Sequence, residues 1–497
     1  MKYILSIDQG TTGTTAALIE TETYRLVGKA NCEFPQIYPR PSWVEHDLDD
    51  IWKSTETAVI KLKNEFKFND RDLVSIGITN QRETTCAFDR SGKPLANAIV
   101  WQDRRTSDFC DSLKSSSQAA AISKKTGLPI DAYFSGSKMR WLLKNCEPVK
   151  SAHLAKNLLL GTIDTYLLYK LTAGKSHCTE PTNASRTMLM DLESLNWDNS
   201  LLKIFEIDSS LLPKICNTFD HFGVTQKVGF LSDGIPITCL FGDQQSALFG
   251  QGCTQSGEMK CTYGTGAFLL LNTGNHINYS QDGLITTVAY KYDRQAAYAL
   301  EGSCYIAGAA VQFLRDNLGF ISKASEVQTL AESANNLEEM KNVLFLPFFT
   351  GLGSPYWKSH AKGAILGLTR DTQKSHIARA CLEGICYSIN DIIRIFKKNA
   401  STPLSSLKVD GGAVSNNFLL ELQALISDVE IIRPLVIETT AYGAALGAAI
   451  GGGILSMDKI SSLWKFDASF KPQVSAHHTY LSEKQLLWDD HIHRLFL

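Results

Sequence analysis

The chain has 497 residues and carries 49 lysines and arginines against 51 aspartates and glutamates, a formal charge of −2. That balance argues against a nucleic-acid partner or an electrostatic membrane anchor, and no run of about 18 uninterrupted apolar residues offers a membrane span. The length accommodates two or three domains with sizeable cores, and without a leader-like N-terminus the expected compartment is the cytoplasm.

Strand signals begin at once, at 3–7 and 16–19, on either side of the turn Asp8-Gln9-Gly10-Thr11-Thr12-Gly13-Thr14-Thr15. Glycine lets backbone approach a ligand closely, and successive amide N–H groups in such a turn form a concavity for an anion. The threonine hydroxyls add donors, and Asp8 offers a hard oxygen to magnesium. Taken alone, the turn is equally a polar hairpin. Further strands are expected at 25–32, 74–79, 84–88 and 97–101, with helices over 47–66, 105–126, 135–146 and 150–157. Hairpins alternating with crossover helices predict α/β lobes. The apolar stretch 158–171 contains Thr162, Asp164 and Thr165, so it is read as a buried element.

Asp243 follows the apolar run 235–241 and so falls at a strand end, where its carboxylate can accept a hydroxyl proton or cap the helix expected from Gln244. Arg82 and Glu83 likewise follow a strand. Adjacent donor and acceptor suit a polyol hydroxyl, although the same pair could be an exposed ion pair. A second lobe is expected from about residue 252, giving domains 1–251 and 252–497. Its opening strand–turn–strand carries Thr262-Tyr263-Gly264-Thr265-Gly266-Ala267-Phe268, a mate of the first turn, and helices are expected at 304–318, 323–341 and 373–398. A third glycine element, Val409-Asp410-Gly411-Gly412-Ala413-Val414-Ser415-Asn416-Asn417, would place bare backbone beside a flat ring, with Asn416 able to hydrogen-bond it. The Ala- and Gly-rich segment 441–450 predicts close packing against a neighbour.

Other nucleotide motifs fail. Gly174-Lys175-Ser176 lacks the leading glycine of a P-loop, because position 169 is Tyr169. Protein-kinase signatures are missing. The twelve cysteines include no C-x-x-C and no zinc spacing, so reduced, mainly buried thiols are expected. The histidines at 477, 478, 491 and 493 are read as surface residues.

The order phosphate turn, phosphate turn, adenosine segment resembles the actin-like ATPase superfamily, with two ribonuclease-H-like domains flanking a cleft. Within it, the chain is similar to the FGGY carbohydrate kinases, and among them to those acting on glycerol. The carrying segments are Trp43-Val44-Glu45-His46-Asp47, Gly77-Ile78-Thr79-Asn80-Gln81-Arg82-Glu83-Thr84-Thr85 and Ile99-Val100-Trp101-Gln102-Asp103-Arg104-Arg105. Tyr133-Phe134-Ser135-Gly136, Gly242-Asp243-Gln244-Gln245 and Phe349-Thr350-Gly351-Leu352-Gly353-Ser354-Pro355 complete it, and the likeness runs from residue 3 to about 450.

The resemblance implies ATP-dependent phosphorylation of glycerol to sn-glycerol 3-phosphate, with Asp243 as general base. It implies a polyol held by Arg82, Glu83, Trp101, Tyr133, Asp243, Gln244 and Phe268. Thr11, Thr12, Gly13 and Thr265 would meet the phosphates, and Gly308, Gln312, Gly412 and Asn416 the rest of the nucleotide. Asp8 and Asp243 would organise Mg2+. A homo-oligomer, dimer or tetramer, is expected. A kinase for another small polyol or a pentulose, or a non-catalytic chaperone or filament protein on the same fold, are the alternatives. Two departures stand out: Thr15 where many relatives carry arginine, and Cys381 where another small residue is usual. The segment 224–233 matches a loop that binds fructose 1,6-bisphosphate in some relatives, but it keeps one glycine and adds Phe230 and Asp233, so insensitivity is expected. His221 is the nearby candidate for the regulatory histidine phosphorylation of other relatives.

Overall fold

The structure, a computed structural model, describes residues 1–496 except 337, 339, 359, 474 and 475, with backbone alone at 476–478. Two large sheets share one plan. The first runs, in spatial order, Phe219–Val224, Pro236–Gly242, Leu73–Asn80, Tyr3–Gln9, Gly13–Glu20 and Leu26–Glu33. The second runs Ile285–Tyr292, Gln295–Cys304, Ala267–Gly274, Met259–Tyr263, Ser406–Asp410, Glu430–Pro434 and Phe466–Phe470. In each, an antiparallel hairpin is flanked on its first strand by parallel neighbours and on its second by an antiparallel one. The two glycine-threonine turns are the tips of those corresponding hairpins.

Strand alternation sends side chains to both faces of the first sheet, and both are covered. Leu5, Ile7, Ile76 and Ile78 pack with Leu48, Ile51 and Leu62 of the helix Leu48–Phe66 on one face. On the other, Ile4, Ala17, Cys239 and Phe241 meet Ala445, Leu446 and Ala448 of the helix Thr439–Gly451, from the far end of the chain. The contact is as close as the alanines and glycines of that segment predict. A methyl group added at Gly77 would lie 2.1 Å from the carbonyl oxygen of Ala444, and one at Gly443 would lie 1.9 Å from that of Ser246. The second sheet packs against the long helix Lys374–Asn399 and the helix Asn417–Ser427.

Several expected elements are cut short. The helix expected over 105–126 is two, Ser107–Lys114 and Ala119–Thr126. Between them the hydroxyls of Ser115 and Ser116 bond back to the carbonyls of Asp111 and Leu113, competing with helix continuation. The stretch 304–318 begins as the end of a strand, and its helix starts only at Gly308. Of 323–341 only Glu326–Glu332 is helical, and positions 337 and 339 lie outside the described residues. The run 158–171 is a strand, Leu158–Thr162, leading into a helix, Ile163–Leu171, both buried.

The C-terminal segment, nearly silent as sequence, forms the helix Ala476–Phe496. It docks through buried Lys484, 2.5 Å from Glu383, and Trp488, whose indole N–H donates to Asp391 across 3.0 Å. All twelve cysteines are free, and eight are buried as expected for structural thiols. His491 is half-buried and His493 exposed; the side chains of 477 and 478 lie outside the described residues.

Candidate active site

The first turn is closed by the Gly10 amide donating to the carbonyl of Gly13, 2.9 Å, and the second by Gly264 donating to Gly266, 2.8 Å. Close packing dictates glycine here: a methyl group on Gly13 would sit 2.9 Å from the Cys32 carbonyl oxygen, and one on Gly266 2.5 Å from that of Cys304. The second turn is tied to the next helix, because the amides of Ala307 and Gly308 donate to the carbonyls of Thr265 and Gly264 at 2.8 and 3.0 Å. The third glycine element lies against it. Gly411 adopts φ +94° below the Tyr263 carbonyl, a conformation a side chain would resist.

Two clefts meet at the second turn. One, about 330 Å³, is lined by Gly264, Thr265, Gly308, Gln312, Gly412 and Asn416. Here one expectation is narrowed: the side-chain oxygen of Asn416 caps the helix Asn417–Ser427 by accepting from the Leu419 amide at 3.0 Å, which fixes the side chain and leaves its NH2 unengaged. The other cleft, about 350 Å³, brings together Thr11, Thr12, Arg82, Glu83, Trp101, Tyr133, Asp243, Gln244, Thr265 and Phe268. Gly264 and Thr265 line both. Asp8 and Gly13 flank the first turn on its two strands, Asp8 lying opposite Thr15 and beside Thr79.

Aromatic rings wall the second cleft. Trp101 meets Tyr133 and Phe268 edge-on, with centroids 5.6 and 6.3 Å apart. Its indole N–H donates to the Thr11 hydroxyl at 3.0 Å. Asp243 is the first residue of its helix, one earlier than expected. Its Oδ1 accepts from the Gln244 amide at 2.7 Å and lies 3.1 Å from Arg82 Nε. Among the described residues its Oδ2 has no bonded partner, so one carboxylate oxygen is held and the other is left for a ligand.

The alternative of an exposed Arg82–Glu83 ion pair does not hold. Both are buried, Glu83 has φ +60°, and each pairs elsewhere. Arg82 is gripped by both oxygens of Glu301, at 2.5 and 3.0 Å, while Glu83 accepts from Arg186 at 2.6 Å. Arg186 also reaches Glu301 at 3.1 Å. The result is an alternating chain, buried except at half-buried Asp243: Asp243, Arg82, Glu301, Arg186, Glu83. Burial works against the Glu301 charge, but Arg186 and Arg82 hold its carboxyl below the usual range. Burial pushes Glu83 and Asp243 up, with arginines opposing in both cases. Asp8 is pushed up to about 8 by burial first, then by the charges of Asp243 and Glu438.

Asp8 and Asp243 lie close enough for each charge to act on the other, and a cation between them would relieve that repulsion. No group of three or more His, Cys, Asp or Glu suited to a metal exists among the described residues. This donor set fits Mg2+ held mainly by waters and phosphate oxygens rather than an all-protein cage. Thr15 accepts from Asn31 at 3.0 Å, and beside Asn31, on the same strand face, Lys29 pairs with Glu438.

Sequence reasoning missed Glu301, Arg186 and Lys260. Glu301 and Arg186 are each a lone charge inside an otherwise apolar or small-residue run, Ala299-Leu300-Glu301-Gly302 being the plainer. A charge that cannot reach water from a buried strand needs a partner, and that was the available signal.

Two matching sheets with their hairpin turns aimed at one cleft define a two-lobed phosphotransferase of the actin-like ATPase fold. The model of the FGGY family of carbohydrate kinases, N-terminal domain, matches residues 3–250, and that of its C-terminal domain matches 259–452. The chain belongs to the FGGY family of carbohydrate kinases. It is 46% identical over 478 residues to glycerol kinase 2 of Thermotoga maritima, covering 96% of this chain and 95% of that one. To the glycerol kinase of Bdellovibrio bacteriovorus it is 46% identical, with 95% of each chain covered. The crystal structure of Plasmodium falciparum glycerol kinase with ADP superposes with a TM-score of 0.90 at 36% identity, over 100% of this chain and 99% of that one.

Proposed function

We infer that this chain transfers the γ-phosphoryl group of ATP to a terminal hydroxyl of glycerol, giving sn-glycerol 3-phosphate and ADP. The observation that carries this reading is the meeting of the two clefts at Gly264 and Thr265, with the unengaged oxygen of Asp243 in the smaller-ligand side. A hydroxyl bound there and a phosphate on the turns would come together without either ligand crossing a wall.

Trp101 and Phe268 would cover the carbon edge of the polyol, leaving its hydroxyls to Arg82, Glu83, Tyr133, Gln244 and Asp243. Asp243 Oδ2 accepts the hydroxyl proton as the oxygen attacks phosphorus and the bond to the ADP oxygen breaks. The backbone amides of the two turns, with Thr11, Thr12 and Thr265, stabilise charge developing on the transferred group. Gly308, Gln312, Gly412 and Asn416 would hold the remainder of the nucleotide. Asp8 and Asp243 would hold Mg2+ through its waters, and the ion would neutralise phosphate charge.

The aromatic pair Trp101 and Phe268, edge-on at 6.3 Å, argues against a pentulose, which carries more hydroxyls than glycerol. A filament or chaperone protein would have no use for the buried carboxylate–arginine chain behind the polyol site. A panel of polyols and pentuloses with ATP, followed by ADP release, tests the reading. Glycerol should give the highest kcat/KM, and a pentulose exceeding it would overturn the assignment.

A further inference from the structure

Lys260 is buried, on the strand that leads into the second turn. Its ammonium donates to Gln244 Oε1 at 2.5 Å and to the Thr262 hydroxyl at 2.8 Å. Among the described residues no carboxylate lies within ion-pair distance of it. Lys484, equally buried, has Glu383 at 2.5 Å. A buried lysine spending its hydrogen bonds on an amide and a hydroxyl is costly unless those bonds do something. Burial lowers its proton affinity, while the charges of Asp410 and Asp243 oppose that.

An ammonium has donors only, so it dictates which end of a carboxamide faces it. The oxygen of Gln244 must turn inward, and its NH2 is left for the cleft that Gln244 shares with Asp243. A polyol hydroxyl between the two then meets one acceptor and one donor. It can only give its proton to Asp243 and accept from Gln244. With the amide reversed, the hydroxyl would face two acceptors with a single proton to share.

We propose that Lys260 is a positioning residue: by holding the oxygen of Gln244 across the lobe interface, it makes the polyol's hydroxyl point its proton at Asp243. The proposal rests on the polyol site above.

The test is a double-mutant cycle with Lys260→Met and Gln244→Ala, following kcat, glycerol KM, ATP KM and melting temperature. Lys260→Met should lower kcat/KM for glycerol roughly tenfold, the usual worth of a hydrogen bond to a charged group. Its ATP KM should stay within about twofold, and in the Gln244→Ala background it should cost less than about twofold, because the amide it orients is gone. Lys260→Gln, which keeps an N–H donor, should recover most of the loss and serves for the whole cycle if the methionine variant does not fold. Equal losses in both backgrounds, or a parallel rise in ATP KM, would overturn the proposal while leaving the polyol site standing. Unchanged glycerol kinetics in Gln244→Ala itself would remove the polyol assignment and Lys260 with it.

Discussion

Trp101 donates its indole N–H to the hydroxyl of Thr11 across 3.0 Å, so a wall of the polyol pocket is bonded to the first phosphate turn. The same turn is braced from the other side by Gln36, whose amide donates to the Thr11 carbonyl at 3.0 Å. Trp101→Phe keeps an aromatic wall and removes the bond. A neutral hydrogen bond is worth about 0.5–1.5 kcal/mol net, or roughly a twofold to tenfold change. That loss should appear in kcat/KM for glycerol and for ATP together. A change confined to glycerol would mean that the bond transmits nothing to the turn.

Asp243→Asn should fold, because its carboxamide oxygen can still accept from the Gln244 amide. It should bind ATP, yet turn over roughly 10²–10⁴-fold more slowly, the range for a positioned general base. Calorimetry with a non-hydrolysable nucleotide, beside steady-state rates, separates the two properties. Turnover near that of the parent would take Asp243 out of the chemistry.

Arg82 illustrates how a local reading falls short. Next to Glu83 in sequence, it looks like half of a donor–acceptor pair. In space its partners are Asp243 and Glu301, and Glu301 lies 219 residues away. Arg82→Ala would therefore leave half-buried Asp243 without its arginine and buried Glu301 with Arg186 alone. Breaking a buried pair in this way costs about 3–5 kcal/mol. The expected outcome is a clear fall in melting temperature as well as a raised glycerol KM, with Glu301→Gln milder because it keeps size and one acceptor. A glycerol defect without loss of stability would show that the ion-pair chain contributes little to folding.

What was legible in the sequence was local. Both phosphate turns announce themselves because glycine and threonine are needed at adjacent positions, and the tight packing of 441–450 because small residues are needed on every side of a crowded helix. Glu301, Arg186 and Lys260 were not legible, since a buried charge is explained only by its partner, here 115 residues off in the case of Arg186 and Glu301. The C-terminal helix stayed hidden for the same reason: Lys484 and Trp488 take their meaning from Glu383 and Asp391.

That helix has a pH signature. Asp391 is pushed up to about 7, by burial first, while Trp488 and Tyr356 donate to it at 3.0 and 3.1 Å. The ordinary value is 3.8. Between those values the native state holds the proton more tightly than the unfolded chain, so stability falls as pH rises, levelling off above about 7. Asp391→Asn keeps an acceptor for Trp488 and cannot ionise. Melting temperatures from pH 4 to 8 should show the parent losing ground to the variant as pH rises. Glu180, also raised to about 7, adds a slope of the same sign to both proteins. Parallel profiles for parent and variant would show that Asp391 ionises without cost.

The segment 224–233 bears on regulation. In some relatives the matching loop binds fructose 1,6-bisphosphate through bare amides, and here several of those amides are spent. The Gln226 amide donates to the Leu171 carbonyl at 2.9 Å, Lys227 to Asp233 at 2.7 Å, and Ser232 to Asp70 at 2.8 Å. Val228, Phe230 and Leu231 are buried, with Phe230 against Trp52 at 5.5 Å between centroids. Lys63 further anchors the loop, donating to the Phe230 carbonyl at 3.0 Å and pairing with Asp70 at 2.7 Å. Seating a phosphate would mean pulling apolar side chains from the core and setting an anion beside Asp233. Millimolar fructose 1,6-bisphosphate should therefore leave the rate at subsaturating glycerol unchanged. Saturable inhibition that survives Lys227→Ala would place the effector elsewhere on the molecule, and inhibition abolished by that substitution would show that the loop opens despite its internal bonds.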